Sequence, residues 1–89
     1  MSDKTCGYLY IEKVDSPIYA IGTNHSADGL YDNKNMLEVW AIDDMEFVEE
    51  SIMKIFRNLA IKVENKRVYL PFDSEINARC MCEYIFRGL

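Results

Sequence analysis

The sequence predicts an α/β domain of the α+β kind, in which helices pack on a small, mainly antiparallel sheet of three or so strands. Residues 7–11 and 17–23 are two short runs rich in Tyr and Ile, and the polar, turn-prone residues 12–16 separate them. Such a pattern is typical of a β-hairpin. Apolar residues then recur at helical spacing over residues 45–59, which indicates an amphipathic helix that packs on the sheet.

Length and composition favour one domain. The chain has 89 residues, of which 49% are hydrophobic and 28% are charged. A chain of this length builds one modest hydrophobic core, and this composition is that of a globular protein. We therefore predict a single domain over residues 1–89, with residues 1–5 as a loose N-terminus.

The hairpin is followed by a polar segment and then by a third strand. Residues 24–35 are rich in types that favour turns, so we predict a loop or a short helix there. Residues 37–42 have the pattern of a strand, in which successive side chains point to opposite faces. Both faces carry apolar side chains, because Trp40 and Ile42 point to the face opposite that of the other apolar residues. A strand covered on both faces is expected to lie inside the sheet.

The helix over residues 45–59 has a clear start. Asp43 or Asp44 is placed to cap its free backbone N–H groups, and Glu46 lies near the positive end of the helix dipole. One stripe of side chains is predicted to be buried on the sheet: Met45, Val48, Ile52, Ile55, Phe56 and Leu59.

The last third of the chain predicts a second hairpin and a final helix. Residues 60–64 and 67–72 are two extended runs that can pair with each other. Asp73-Ser74 then caps a helix over residues 75–86. The side chains of this helix that are predicted to face inward are Ile76, Cys80, Met81, Tyr84 and Ile85.

The cysteines and the hydropathy pattern indicate an intracellular protein. The chain has three cysteines, no signal peptide and no run of about 18 apolar residues, so we expect a cytoplasmic or nuclear location and no membrane partner. Cys6, His25, Cys80 and Cys82 form an alternative zinc set. Since Cys80-Met81-Cys82 lacks the two-residue spacing of a zinc knuckle, small buried thiols are the preferred interpretation, with no cofactor.

Four short motifs occur in an order that resembles a known superfamily. They are Tyr8-Leu9-Tyr10, Ala20-Ile21-Gly22, the helix around Glu49 and the strand Arg67-Val68-Tyr69-Leu70. In this order they are similar to the GIY-YIG nuclease superfamily, in particular to its branch from phages and large DNA viruses. The resemblance covers nearly the whole chain and implies a GIY-YIG-like fold. It also implies a viral or phage origin, in which case the virion is a further location.

The resemblance implies a catalytic site, but several of its groups are missing. In the family a helix glutamate holds Mg²⁺, and that place falls on Glu49. The first motif tyrosine falls on Tyr10. The second falls on Ala20, with Tyr19 one position away, and no arginine precedes Arg57. The site is therefore degenerate, which is a reason not to carry the nuclease activity over.

Two functions follow from this pattern. The first is a non-catalytic interaction or structural module that binds another protein, since the many aromatic residues are the kind of side chain that interfaces favour. The alternative is an Mg²⁺-dependent endonuclease that cleaves DNA phosphodiesters. It would use Tyr10, Tyr19 and His25 as catalytic groups and Glu49 as the metal ligand. This alternative requires the four groups to converge on one cleft.

Binding of nucleic acid without cleavage is a third, weaker hypothesis. The basic residues close together in sequence that would contact phosphates include Lys54, Lys62, Lys66 and Arg67. However, the formal net charge of the chain is -5, and binding to a polyanion depends on basic surface. Net charge therefore favours a protein partner over nucleic acid.

Overall fold

A computed structural model of the chain describes residues 5–15, 17–64 and 67–88. Residues 1–4 of the predicted loose N-terminus lie outside the described residues, as does Lys66. The secondary-structure elements in chain order are β1 Gly7–Asp15, β2 Ile18–Asn24, β3 Met36–Ile42, α1 Met45–Phe56, β4 Lys62–Glu64, β5 Arg67–Pro71 and α2 Glu75–Gly88.

The strands form one antiparallel sheet in the order β3-β1-β2-β5-β4. The predicted α+β class is confirmed, but the predicted strand number is wrong, because the described residues form a sheet of five strands. The second hairpin joins the first one: β5 pairs with β2, where Tyr19 lies opposite Leu70. The prediction that residues 37–42 form an inner strand is also wrong. β3 pairs only with β1 among the described strands and lies at an edge.

Both helices contact the same face of the sheet. Side chains alternate between the two faces of a strand, so Leu9 and Ile11 of β1 point to one face and Tyr10 to the other. The core lies between the first face and the helices, and its members include Leu9, Ile11, Tyr19, Ile21, Val68 and Leu70 from the sheet, Met45, Val48, Ile52 and Phe56 from α1, and Ala78 and Cys82 from α2. We call this the helix face, and the other the second face.

Helix α1 begins as predicted and ends earlier. A side-chain oxygen of Asp44 accepts a hydrogen bond from the backbone N–H of Phe47 at 3.2 Å, which caps the helix. Most of the predicted stripe is buried, but Ile55 is 46% exposed and Leu59 is 67% exposed. Because the helix ends at Phe56, Leu59 no longer follows the helical spacing that would place it on the sheet.

Helix α2 contacts the core through a different face from the predicted one. Ala78 and Cys82 are buried, whereas Ile76 is 72% exposed and Tyr84 is 78% exposed. The small side chains of Ala78 and Cys82 allow the helix to approach the sheet closely. Near the end of the helix, Phe86 stacks on Trp40 with ring centroids 5.9 Å apart. The prediction that Ile76, Cys80, Met81 and Tyr84 face inward is therefore wrong, while the Ile85 side chain lies outside what is described.

The buried thiol of Cys82 makes the stability of the fold sensitive to alkaline pH. Burial raises the pKa of Cys82 from its ordinary value of 9.0 to about 12. Above pH 9 the unfolded chain loses this proton while the folded chain keeps it up to about pH 12. The free energy of unfolding is therefore expected to fall with rising pH in this window, by about 1.4 kcal/mol per pH unit from this group.

Urea unfolding of the wild type and of Cys82→Ala at pH 8 and pH 10.5 measures this effect. The wild type should lose more stability between the two pH values than the variant does. Cys80→Ala, at an exposed cysteine of the same helix, is the matched control for the substitution itself. Parallel pH profiles for the wild type and Cys82→Ala would contradict the prediction.

Candidate functional site

Tyr10 and Glu49, two of the predicted nuclease residues, lie on opposite sides of the sheet. Thr23 of β2 pairs with Leu9 of β1, so both point to the helix face. The Thr23 hydroxyl donates a hydrogen bond to Glu49 of α1 at 2.7 Å, which places the carboxylate at the helix face. Tyr10 follows Leu9 and points to the second face. The structure therefore does not bring these two groups together.

Tyr19 does not join Tyr10 either. Tyr19 is 2% exposed and belongs to the core on the helix face, where its ring meets Phe72 edge to face at 5.7 Å. His25 is exposed, just beyond the end of β2. The convergence on one cleft that the nuclease alternative requires is absent from this arrangement of Tyr10, Tyr19 and Glu49.

Within residues 5–15, 17–64 and 67–88, no three or more His, Cys, Asp or Glu side chains are grouped so that they could hold a metal ion. Of the alternative zinc ligands, Cys82 is buried in the core while Cys6 and Cys80 are exposed.

None of the helices in the described part of the chain is long and apolar enough to cross a membrane.

The second face of the sheet carries a cluster of polar and aromatic side chains that contact one another. It consists of Tyr10, Glu12, Asn33, Arg67 and Tyr69, and we call it the tyrosine–arginine cluster. The Arg67 guanidinium pairs with one oxygen of Glu12, and Asn33 donates to the other oxygen at 2.5 Å. The guanidinium carbon also lies 5.8 Å from the centre of the Tyr10 ring and 5.3 Å from that of Tyr69.

The tyrosine–arginine cluster is closely packed, and its Tyr10 is unsuited to act as a base. A Cβ on Gly22, directly opposite Tyr10 in the sheet, would lie 2.9 Å from the Tyr10 hydroxyl and 3.1 Å from Cγ of Arg67. Burial raises the pKa of Tyr10 above its ordinary value of 10.0, and the nearby Glu12 acts in the same direction, although Arg67 opposes both. The phenol therefore stays protonated near neutral pH, which makes it a poor general base. The contacts indicate that this cluster fastens β1, β5 and the loop around Asn33 together.

Glu12→Gln tests the structural role of the tyrosine–arginine cluster. The side chain of Glu12 is 19% exposed and has two partners, so loss of its charge is expected to lower the free energy of unfolding by about 1 kcal/mol. Glu64→Gln is the matched control. Glu64 pairs with Lys62 at 3.1 Å on the surface, where both side chains are 57% exposed, so its change should be near zero. Urea unfolding of both variants at pH 7 measures the difference, and equal losses would contradict this role.

The predicted phosphate contacts that lie within the described residues do not share one face. Arg67 belongs to the tyrosine–arginine cluster, and Lys62 forms an ion pair with Glu64 and lies over the Tyr69 ring at 4.7 Å. Lys54 lies on α1, which packs on the helix face. The positive charges of Arg67 and Lys62 are thus already paired, and Lys54 is on the other side of the sheet.

The described part of α2 exposes an apolar row that points away from the sheet. Ile76, Cys80 and Tyr84 recur every four residues, and Met81, 43% exposed, lies beside them. Because Ala78 and Cys82 face the core, the intervening Cys80 faces outward. We call these four residues the α2 outer face.

Two open grooves flank the α2 outer face. One, of about 560 Å³, lies between α2 and the chain after β5, and Phe72, Met81 and Tyr84 are among its walls. The other, of about 400 Å³, lies between α2 and β3, and is lined by Trp40 and Ile76 among others. Cys80 borders both grooves. The surface therefore offers a projecting apolar row with a depression on each side, a shape that can interdigitate with another helix.

The sequence contained a signal for this surface that the prediction did not use. Ala78 and Cys82 form a short apolar row four residues apart, while Ile76, Cys80 and Tyr84 form a longer row on the opposite side of the same helix. The prediction assigned the larger side chains to the core. The small pair is the one that fits between helix and sheet in this structure.

Comparisons of the chain with family models, with curated proteins and with solved structures find no match. The surfaces described above are therefore the basis for a functional proposal.

Proposed function

We propose that this chain is a non-catalytic interaction module, GIY-YIG-like in its scaffold, that binds another protein through the α2 outer face. The observation that carries the proposal is the exposure of large apolar side chains on that face, 72% for Ile76 and 78% for Tyr84. Single exposed apolar residues are ordinary, but a contiguous row on one helix is typical of a docking surface. Tyrosine is also among the residues that contribute most to binding energy at interfaces.

Two further features support binding over catalysis. In the tyrosine–arginine cluster, Arg67 and Asn33 both contact the Glu12 carboxylate, while the buried Nε of Arg67 has no hydrogen-bond partner among the described residues. The contacts to Glu12 favour a structural role for this cluster over a catalytic one. The acidic balance of the chain, with a formal net charge of -5, favours a protein over a polyanion as the partner.

The alternative, an Mg²⁺-dependent endonuclease, has less support because Glu49 and Tyr10 lie on opposite faces of the sheet. Its test is the incubation of supercoiled plasmid with the purified protein and Mg²⁺ or Mn²⁺. We expect no cutting. Cutting by the wild type that Glu49→Ala abolishes would instead establish the nuclease and overturn the non-catalytic proposal.

Site-specific photo-cross-linking tests the binding proposal. Tyr84 is replaced by p-benzoylphenylalanine, and the protein is irradiated in cells that naturally make it. Tyr31 is the matched control position, because it is also a tyrosine and is 68% exposed. Position 84 should form a discrete protein adduct that Ile76→Asp removes, and position 31 should not form it. An adduct at both positions, or at neither, would exclude the α2 outer face as the binding surface.

A further inference from the structure

We infer that the α2 outer face binds a second copy of this chain, with the two α2 helices packed antiparallel about a two-fold axis at Cys80. This inference rests on the proposed function and names its partner. An isologous dimer uses the same patch on both copies, so the patch must be complementary to itself. The α2 outer face meets this condition in both its apolar row and its flanking charges.

The apolar row is symmetric about its centre. Ile76 and Tyr84 lie four residues before and four residues after Cys80. A two-fold axis that passes beside Cys80 therefore places Ile76 of each copy opposite Tyr84 of the other. A medium-sized side chain then faces a large one at both ends of the contact, and the grooves beside α2 receive what projects from the second copy.

The charges on one flank of the row are also complementary. Arg79 and Glu83 are exposed, lie on the same side of the helix and line the groove toward β3. In an antiparallel pair about the same axis, this flank of one helix meets the same flank of the other. Arg79 of each copy then lies within one helical turn of Glu83 of the other. Arg79 forms no ion pair within the described residues, whereas Glu83 pairs with Arg87 of its own helix at 3.0 Å. In the dimer, Arg79 of the second copy is therefore a second partner for Glu83.

The geometry places the two Cys80 residues close together. Packed helices have axes about 8–10 Å apart, and each Cα lies about 2.3 Å from its axis. Two residues that face each other across such a contact therefore have Cα atoms roughly 3.4–5.4 Å apart. That separation overlaps the range of about 4.4–6.8 Å that a disulfide needs. Cys80 thus reports directly on the predicted contact.

Sedimentation equilibrium of the purified protein, under reducing conditions, is the first measurement. The wild type should show a reversible monomer–dimer equilibrium. Ile76→Asp should raise the dimer dissociation constant by about tenfold or more, since it places a charge in the apolar row. Ile55→Asp is the matched control: Ile55 is 46% exposed on α1, and its change should leave the constant unaltered. Circular dichroism confirms that both variants are folded.

Mixing two charge variants tests the antiparallel contact. Arg79→Glu alone and Glu83→Arg alone should each dimerise weakly, because like charges then meet across the axis. An equimolar mixture of the two should form a heterodimer at least as tight as the wild-type dimer, because both cross-pairs become attractive. In each variant the side chains at positions 79 and 83 of the same helix carry like charges. A contact within one chain therefore cannot explain the recovery of dimerisation in the mixture.

Mild oxidation with diamide provides the third measurement. The wild type should form a disulfide-linked dimer that Cys80→Ser abolishes and that Cys6→Ser retains, although Cys6 is also exposed. A protein that stays monomeric at high concentration and does not cross-link through Cys80 overturns the second copy as partner. The proposed function is tested separately by the adduct from position 84: an adduct with a different protein would support binding through the α2 outer face, and the absence of any adduct would overturn it.

Discussion

Replacing Ile52 by alanine is expected to lower the free energy of unfolding by about 3 kcal/mol. Ile52 is 2% exposed and lies in the middle of the stripe by which α1 packs on the helix face. Truncation removes apolar contacts with the sheet and leaves a cavity that the helix cannot close, because its ends are held by Met45 and Phe56 in the same core. For a domain of this size, such a loss is a large part of the total stability.

Ile55 is the matched control for this measurement. It is the same residue type on the same helix, one turn later, and it is 46% exposed. Ile55→Ala should cost well under 1 kcal/mol, roughly the value of a surface substitution. Urea unfolding followed by far-UV circular dichroism gives both values. If the two variants lost equal stability, α1 would not pack on the sheet through the stripe described.

Local features of the fold were predictable from the sequence. Two runs rich in Tyr and Ile predicted the hairpin of β1 and β2, and the aspartate cap with a helical stripe predicted α1, because each signal is contained within a few consecutive residues. The predicted turn over residues 12–16 is too long, since β1 continues to Asp15. The end of β5 at Pro71 is also a local feature, since proline cannot donate a hydrogen bond to a neighbouring strand.

Features that depend on distant contacts were not predictable in the same way. The sheet has five strands because β2 pairs with β5, and nothing in either strand alone specifies that partner. The orientation of α2 depends on the space between helix and sheet, which accepts Ala78 and Cys82 but leaves Tyr84 outside. A helix with apolar rows on two sides is ambiguous until its neighbours are known.

The candidate site shows the same division. The motif residues Tyr10 and Gly22 lie opposite each other in β1 and β2. This pairing is expected because two consecutive strands of a hairpin are neighbours in the sheet. Whether Glu49 meets Tyr10 depends on which face of the sheet α1 covers. That face is set by the apolar residues Leu9, Ile11 and Ile21, so Tyr10 points away from the helix. The scaffold alone therefore places two motif elements of the resemblance on different sides of the sheet.

The second large effect is expected at Gly7, the first residue of β1. An added Cβ would lie 2.3 Å from the sulfur of Met45 and 2.7 Å from the backbone carbonyl oxygen of Asn24. The Met45 side chain can rotate, but the Asn24 carbonyl is part of β2, next to the Tyr8–Asn24 pair of the sheet. Gly7→Ala must therefore displace one strand from the other, and we expect a loss of about 2–3 kcal/mol in the free energy of unfolding.

Gly29→Ala separates this steric effect from the general cost of replacing a glycine. Gly29 has a φ of 82°, and a Cβ there would meet no atom within 4 Å. Its replacement carries only the backbone cost of a left-handed conformation, about 1 kcal/mol. Urea unfolding should rank Gly7→Ala as the more damaging change, with the chemical shifts of β1 and β2 amides altered only in that variant. The reverse ranking would show that β1 and β2 do not approach each other at Gly7 as described. It would also contradict the pairing of these two strands, on which the helix face is built.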